Sequence, residues 1–203
     1  MRVKRKILRR CKGIVKIYAF LRLAIIPIES IDGVVPKNGN IADYGCGFGI
    51  TSCYLALSSK YRQVVGIEYS SKRVSNAIML AKGIKNLKFK LGDISRIVIE
   101  NANSHLMIDV LHHIDYGQQE KLLDRVTKKL RKGDLIIIKE IGKKPYLKYL
   151  WNFLHDKVMT LNDKLYFRDI SWFENFLRKK DLHTRTLDCG NFFYPHFIVI
   201  AKR

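Results

Sequence analysis

Acidic residues are scarce in this chain. Aspartate and glutamate number 18 against 38 lysines and arginines, which leaves a formal net charge of +20 over 203 residues. No acid precedes Glu29. Such a balance favours anionic surroundings, whether nucleic acid, a membrane surface or acidic small molecules. A compositional lysine bias would give the same number, and charge alone does not separate the two. The four cysteines, Cys11, Cys46, Cys53 and Cys189, form no C-x-x-C pair. That pattern suggests neither a zinc site nor a disulfide framework, so no metal is expected and a reducing cytoplasm is the expected compartment. No run of about 18 apolar residues exists, which excludes a transmembrane helix. Repeats and low-complexity tracts are also missing. What remains, 47% hydrophobic and 28% charged residues, fits a soluble globular protein with one core.

The informative stretch runs from Ile41 to Ser52. Ile41 to Tyr44 reads as a short apolar strand, and glycine follows at every second position, Gly45, Gly47 and Gly49. Ile50, Cys53, Tyr54 and Leu57 then fall at helical spacing. A strand feeding a helix through glycines can hold a nucleotide-like ligand, because glycine tolerates positive φ and brings the backbone close. The first turn of the helix supplies free N–H donors. A dinucleotide fingerprint would need glycine at position 50, where Ile50 stands. Asp43, two residues before the first glycine, disfavours a pyrophosphate and suits a cationic ligand.

Downstream, strands and helices alternate. Arg62 to Ile67 reads as a second strand ending in Glu68, and Ser71 to about Lys82 as a helix with Val74, Ala77, Ile78 and Ala81 on one face. Leu87 to Leu91 is a third strand, followed by Gly92 and Asp93. Leu106 to Val110 is a fourth, followed by Leu111, His112, His113 and Ile114. Asp115 and Gln118 form a helix-opening capping box. Leu122, Val126 and Leu130 line that helix, and Gly133 is expected to end it. Leu135 to Lys139 reads as a fully buried fifth strand. Ser171 and Glu174 suggest a second capping box. Leu182 to Asp188 and His196 to Ala201 alternate as two strands joined by a loop from Cys189 to Pro195. The alternation predicts a mostly parallel sheet with helices on both faces and ligands at the carboxyl ends of the strands. Asp43, Glu68, Asp93, His112, His113 and Glu140 all fall near such ends.

The motif Asp-x-Gly-x-Gly-x-Gly, with Glu68 at the end of the second strand, resembles the class I S-adenosylmethionine-dependent methyltransferases from about residue 36 onward. The resemblance implies an α/β fold: a Rossmann-like, doubly wound, seven-stranded, mostly parallel sheet with a C-terminal antiparallel hairpin. It implies S-adenosyl-L-methionine as cofactor, held by Asp43, Gly45, Gly47, Gly49, Glu68, Asp93, Ile94 and Asp109. Glu68 would accept the ribose hydroxyls, and Asp93 would bond the adenine amino group. If a general base exists, His113 or His112 is expected in that role, with His155 and His196 weaker candidates.

The expected division is a basic amphipathic arm over residues 1–30 and, as the resemblance implies, a methyltransferase domain over 31–203. Val3, Ile7, Cys11 and Ile14 are spaced as one helical face. Lys16 and Arg22 interrupt the apolar stretch that follows, which argues against a signal peptide. The arm either lies on an anionic membrane or packs on the domain. Residues 141–168, with Leu147, Leu150, Trp151, Leu154 and His155 near helical spacing, read as a helical insertion covering an acceptor site, or as a core helix. The expected activity is methyl transfer to a small-molecule acceptor of lipid-like or membrane-associated kind. RNA or protein methylation, drawn from the charge, stays open. Against methylation of nucleic-acid bases, Ile108, Asp109, Val110 and Leu111 stand where an Asn/Asp-Pro-Pro-Tyr/Phe motif would. A non-catalytic cofactor-binding module is the remaining alternative.

Overall fold

The computed structural model describes residues 2–142, 164–190 and 194–203. Most of the expected insertion, including His155, and part of the loop from Cys189 to Pro195 lie outside the described residues. Among those described, seven strands form one sheet in the order Leu87–Leu91, Arg62–Glu68, Gly39–Tyr44, Ser104–Ile108, Leu135–Ile141, His196–Lys202, His183–Asp188. The chain divides into two compact units, Met1–Leu106 and Met107–Arg203.

The first unit begins with three helices, α1 (Arg2–Arg10), α2 (Gly13–Ile25) and α3 (Ile28–Val34). β1 (Gly39–Tyr44), α4 (Ile50–Ser58), β2 (Arg62–Glu68), α5 (Ser71–Ala81), β3 (Leu87–Leu91) and the start of β4 (Ser104–Ile108) follow. β1 pairs with β2 and β2 with β3 in parallel register, Tyr44 opposite Ile67 and Glu68 opposite Leu91. Ile41 to Tyr44 are all buried, as a strand covered on both faces must be. Ile50 to Ala56 of α4 are likewise buried.

Three expectations for this unit need correction. Ile14 does not share a face with Ile7 and Cys11. The helix breaks after Arg10, Gly13 has φ +50°, and a new helix leaves Ile14 exposed while Ile7 and Cys11 are buried. The buried face of α5 is Val74, Ala77 and Leu80, and Ile78 points to solvent. β4 starts and ends two residues earlier than the apolar pattern suggested. Its extra residues Ser104 and His105 are buried, and the His105 Nδ1 lies 3.0 Å from Tyr44 Oη.

One fully buried cation ties this unit together. The Arg62 guanidinium donates to Pro36, Val35, Leu55 and Asp32 carbonyls, to Ser58 Oγ at 2.6 Å and to Asp32 Oδ1 at 2.5 Å. Every donor of the guanidinium fork thus has an acceptor, which is the condition for burying such a charge. The strand β2 is thereby fastened to α3 and to the end of α4.

The second unit holds α6 (Tyr116–Lys129), β5 (Leu135–Ile141), α7 (Ile170–Arg178), β6 (His183–Asp188) and β7 (His196–Lys202). β5 pairs antiparallel with β7, and β7 with β6. The Asp115 side chain accepts from Gln118 N at 2.9 Å and caps α6 as expected. Gly133 does not end α6. The helix stops at Lys129, because Leu130 is already extended, and Gly133 supplies a positive φ in the turn before β5. Ser171 is no cap either. α7 starts after Asp169, and Glu174 instead accepts from Thr186 Oγ1 of β6 at 2.6 Å.

Candidate functional site

The glycine turn is shaped by its backbone. Gly45, Gly47 and Gly49 have φ of +70°, +56° and +74°, a region that costs L side chains roughly 1–2 kcal/mol each. Gly45 N and Cys46 N both donate to Ile67 O, at 2.8 and 3.0 Å, so the turn is stitched to β2. A Cβ at Gly49 would stand 2.4 Å from Phe89 Cζ, which forces glycine where α4 meets β3. At Gly47 a Cβ would meet nothing within 4 Å. The turn is therefore packed behind Gly49 and open in front of Gly47.

Two carboxylates meet this turn. Asp43 of β1 is buried and accepts from Ser52 Oγ at 2.5 Å. Burial raises its pKa from the ordinary 3.8 to about 6, against the lowering effect of the Ser52 bond and the Arg22 charge, while Glu68 adds to the rise. Glu68, also buried, accepts from Gly47 N through Oε2 at 3.0 Å and from Ser70 N through Oε1 at 3.0 Å. The acid at the end of β2 and the turn after β1 are thus one bonded assembly. The Cys46 thiol lies in the same field. Burial first, then the Asp43 and Glu68 charges, hold its pKa well above the ordinary value, which disfavours the thiolate. Helix α2 contributes Tyr18, whose ring lies 4.8 Å from that of Phe48 in the turn.

Asp93 follows β3, and Gly92 N just before it donates to Glu68 O at 2.9 Å. The Asp93 carboxylate accepts from Ser95 N at 2.8 Å and shapes the turn there, while Ile94 is buried. The structure brings Asp43, the three glycines and Glu68 together, with Asp93 adjoining through Gly92.

In the second unit, Asp109 has φ +52°. Its N–H donates to Lys139 O at 2.9 Å, and its Oδ1 accepts from the buried Lys139 Nζ at 2.5 Å. An aspartate in the left-handed region, fixed by a buried ion pair, is the kind of strained position that gathers at functional sites. A short 3-10 turn, Leu111–His113, comes next. The His112 Nδ1 lies 2.6 Å from Glu140 Oε2, and Glu140 Oε1 accepts from Val110 N and Leu111 N at 3.2 and 2.9 Å. His112 is buried and stacks on Phe167 with centroids 4.9 Å apart. His113 is exposed, with its ring 4.2 Å from that of His112. Gln119 Nε2 donates to Leu111 O, Ile114 O and Tyr166 O, which locks the turn carrying both histidines. His196 is buried in β7 and stacks on Tyr194.

Sequence reasoning missed Ser52, Tyr18, Arg22, Lys139 and Gln119. Only Lys139 left a signal. A lysine inside a fully buried strand requires a partner, and Asp109 is that partner.

A family profile described as "Methyltransferase domain" matches residues 36–179. Among characterised proteins, the chain is 31% identical over 134 residues to a tRNA (guanine-N(7)-)-methyltransferase of Prochlorococcus marinus, covering 57% of this chain and 64% of that protein. It is 24% identical over 111 residues to a carboxy-S-adenosyl-L-methionine synthase of Pseudoalteromonas translucida, covering 51% of this chain and 45% of that protein. The chain thus spans less than two thirds of the length of either relative. Among solved structures, magnesium protoporphyrin IX methyltransferase of Synechocystis PCC 6803 with bound S-adenosylhomocysteine superposes with a TM-score of 0.67 at 20% identity. That match covers 87% of this chain and 81% of that one. With the profile spanning well over half of its residues, the chain belongs to the methyltransferase domain family, the S-adenosyl-L-methionine-dependent class I group that its glycine turn and strand-end acid resemble.

Proposed function

We propose that this protein transfers the methyl group of S-adenosyl-L-methionine to a small-molecule acceptor. The observation that carries the proposal is the bond between Glu68 Oε2 and Gly47 N, which joins a buried carboxylate to a side-chain-free turn. The donor set fits this cofactor. Asp43 is an acid suited to an ammonium, and a carboxylate has about four lone-pair sites, so Glu68 keeps acceptor capacity for ribose hydroxyls beyond its two backbone donors. The open side of the turn at Gly47 leaves room for close approach. Asp93 and Ile94 are assigned to the adenine end.

When bound, the cofactor supplies an already activated methyl. The protein's part is to hold the acceptor in line, and alignment of this kind contributes roughly 7–11 kcal/mol. A general base adds about 3–5 kcal/mol. Within the second unit, His112 is favoured over His113 for that role. Glu140 at its Nδ1 selects the tautomer with the proton there, which gives the Nε2 atom the lone pair that accepts a proton.

Calorimetric titration with S-adenosylhomocysteine tests the cofactor proposal. Wild type is expected to bind, and Glu68→Ala to bind roughly 10- to 100-fold more weakly, the loss of a charge-assisted hydrogen bond. Unchanged affinity in that variant removes Glu68 from the site, and no binding by wild type removes the proposal. A tritiated-methyl screen over lipid, RNA and metabolite pools then identifies the acceptor. RNA methylation is the second reading, favoured by the charge of +20 and the tRNA-modifying relative. Label in RNA, with strongly salt-sensitive RNA binding, would make it the first. Cofactor binding without label in any pool would leave a non-catalytic module.

A further inference from the structure

We propose that the outer face of α2 is a docking surface for an anionic lipid bilayer. Ile14, Ile17, Phe20 and Leu21 lie along one side of this helix and are 79%, 61%, 61% and 45% exposed. Large apolar side chains gathered on one exposed face mark an interaction site rather than an ordinary surface. The opposite side is committed, with Ala19 and Leu23 buried, and at the flank of the exposed face Tyr18 rests on Phe48 of the glycine turn. The helix cannot roll to hide its outer residues without giving up those contacts.

Charge selects the partner. Lys12 and Lys16 are exposed on α2 and at its start, and Arg2, Arg5, Lys6 and Arg9 are exposed on α1. The first acid is Glu29, already paired with Lys4 at 2.8 Å. Lys16, one helical turn before Phe20, thus borders a stripe that carries no charged side chain, and the preceding helix α1 adds further exposed cations. That is the pattern of a helix lying in a bilayer interface, its apolar face in the headgroup–acyl boundary and its cations among anionic headgroups. A nucleic-acid face would instead carry its cations in the middle. α2 has 13 residues, against the roughly 20 needed to cross a bilayer, and no described helix is long and apolar enough to do so. The helix would lie on the membrane.

The proposal is independent of methyl transfer and is tested without it. Co-sedimentation of the intact chain with phosphatidylserine–phosphatidylcholine vesicles is compared with phosphatidylcholine vesicles at low salt. The expected result is at least about tenfold tighter binding to the anionic vesicles. The double variant Ile17→Asn, Phe20→Asn is expected to lose about tenfold or more of it, with an unchanged circular dichroism spectrum and unchanged S-adenosylhomocysteine binding. Failure of wild type to bind, or equal binding by the double variant, overturns the proposal. So does a dimer in analytical ultracentrifugation that the double variant dissociates, because a second copy would then cover the face. Poly(U) binding lost by the double variant while vesicle binding persists would assign the face to RNA. The cofactor titration on the same preparations separates any of these outcomes from failure of the methyltransferase proposal.

Discussion

Asp43 carries a cost that the free protein bears and a bound cation would relieve. Burial lifts its pKa from 3.8 to about 6, so between those values the folded state binds more protons than the unfolded chain. Stability therefore falls as pH rises from about 4 to about 6 and is level above, by on the order of 3 kcal/mol. Asp43→Asn is expected to flatten that part of the pH dependence and to be the more stable protein at pH 7, as read by urea unfolding at pH 4, 5, 6 and 7. A positively charged ligand group favours the ionised form, so S-adenosylhomocysteine affinity is expected to weaken as pH drops through about 6 in wild type and to lose that step in the variant. The two histidines offer a second contrast. If His112 is the base, His112→Gln and Glu140→Gln lower kcat by about 10²–10⁴-fold and about tenfold or more, respectively, with cofactor affinity intact. His113→Gln, at an exposed residue, changes kcat little. Equal losses at 112 and 113 would reject the assignment. Asp43 and Glu68 were legible in the sequence because both stand at fixed distances from a glycine turn. Ser52 and Gln119 were not, since their roles arise only when the fold brings the Asp43 carboxylate to one and three backbone carbonyls to the other.

At the scale of elements, β2 is held by the hydrogen bonds of Arg62 as well as by its buried apolar residues. Burial pushes the Asp32 carboxyl up, yet hydrogen bonds from Lys37, Arg62 and Ser58 outweigh it and leave its pKa below the ordinary value. Removing the guanidinium takes its hydrogen bonds from the carbonyls of Val35 and Pro36 and weakens the hold on Asp32. Arg62→Met is expected to destabilise the fold by about 3–5 kcal/mol, and Arg62→Lys by an intermediate amount because one ammonium cannot replace a five-donor fork. Denaturant midpoints at constant slope measure both, and a near-neutral Arg62→Met would show that the buried network contributes nothing net. β3 matched the apolar pattern at both ends, because apolar content and turn residues bound it. β4 slipped by two residues because its start, Ser104 and His105, is polar by composition and buried in fact. The break between α1 and α2 was hidden for a different reason. Helical spacing of Val3, Ile7, Cys11 and Ile14 persists in the sequence, while a glycine at φ +50° changes the direction of the chain.

Over the whole molecule, +20 is an electrostatic load before it is a signal about partners. Like charges at this density repel and destabilise the compact state. The two most buried lysine or arginine pairs described, Arg62 with Asp32 and Lys139 with Asp109, are shielded from added salt, since screening acts mainly on exposed charges. Salt should therefore relieve repulsion without weakening those pairs. Raising NaCl from about 20 mM to about 500 mM shortens the screening length from roughly 20 Å to roughly 4 Å. Tm is expected to rise by several degrees, about 2–4 °C for each kcal/mol at this chain length. Differential scanning calorimetry in the two buffers measures it. A fall in Tm would mean that exposed ion pairs such as Lys128 with Asp124 outweigh the repulsion. In that case the excess lysines and arginines sit far enough apart to be tolerated with no anionic partner, and the charge would cease to argue for a membrane or for RNA.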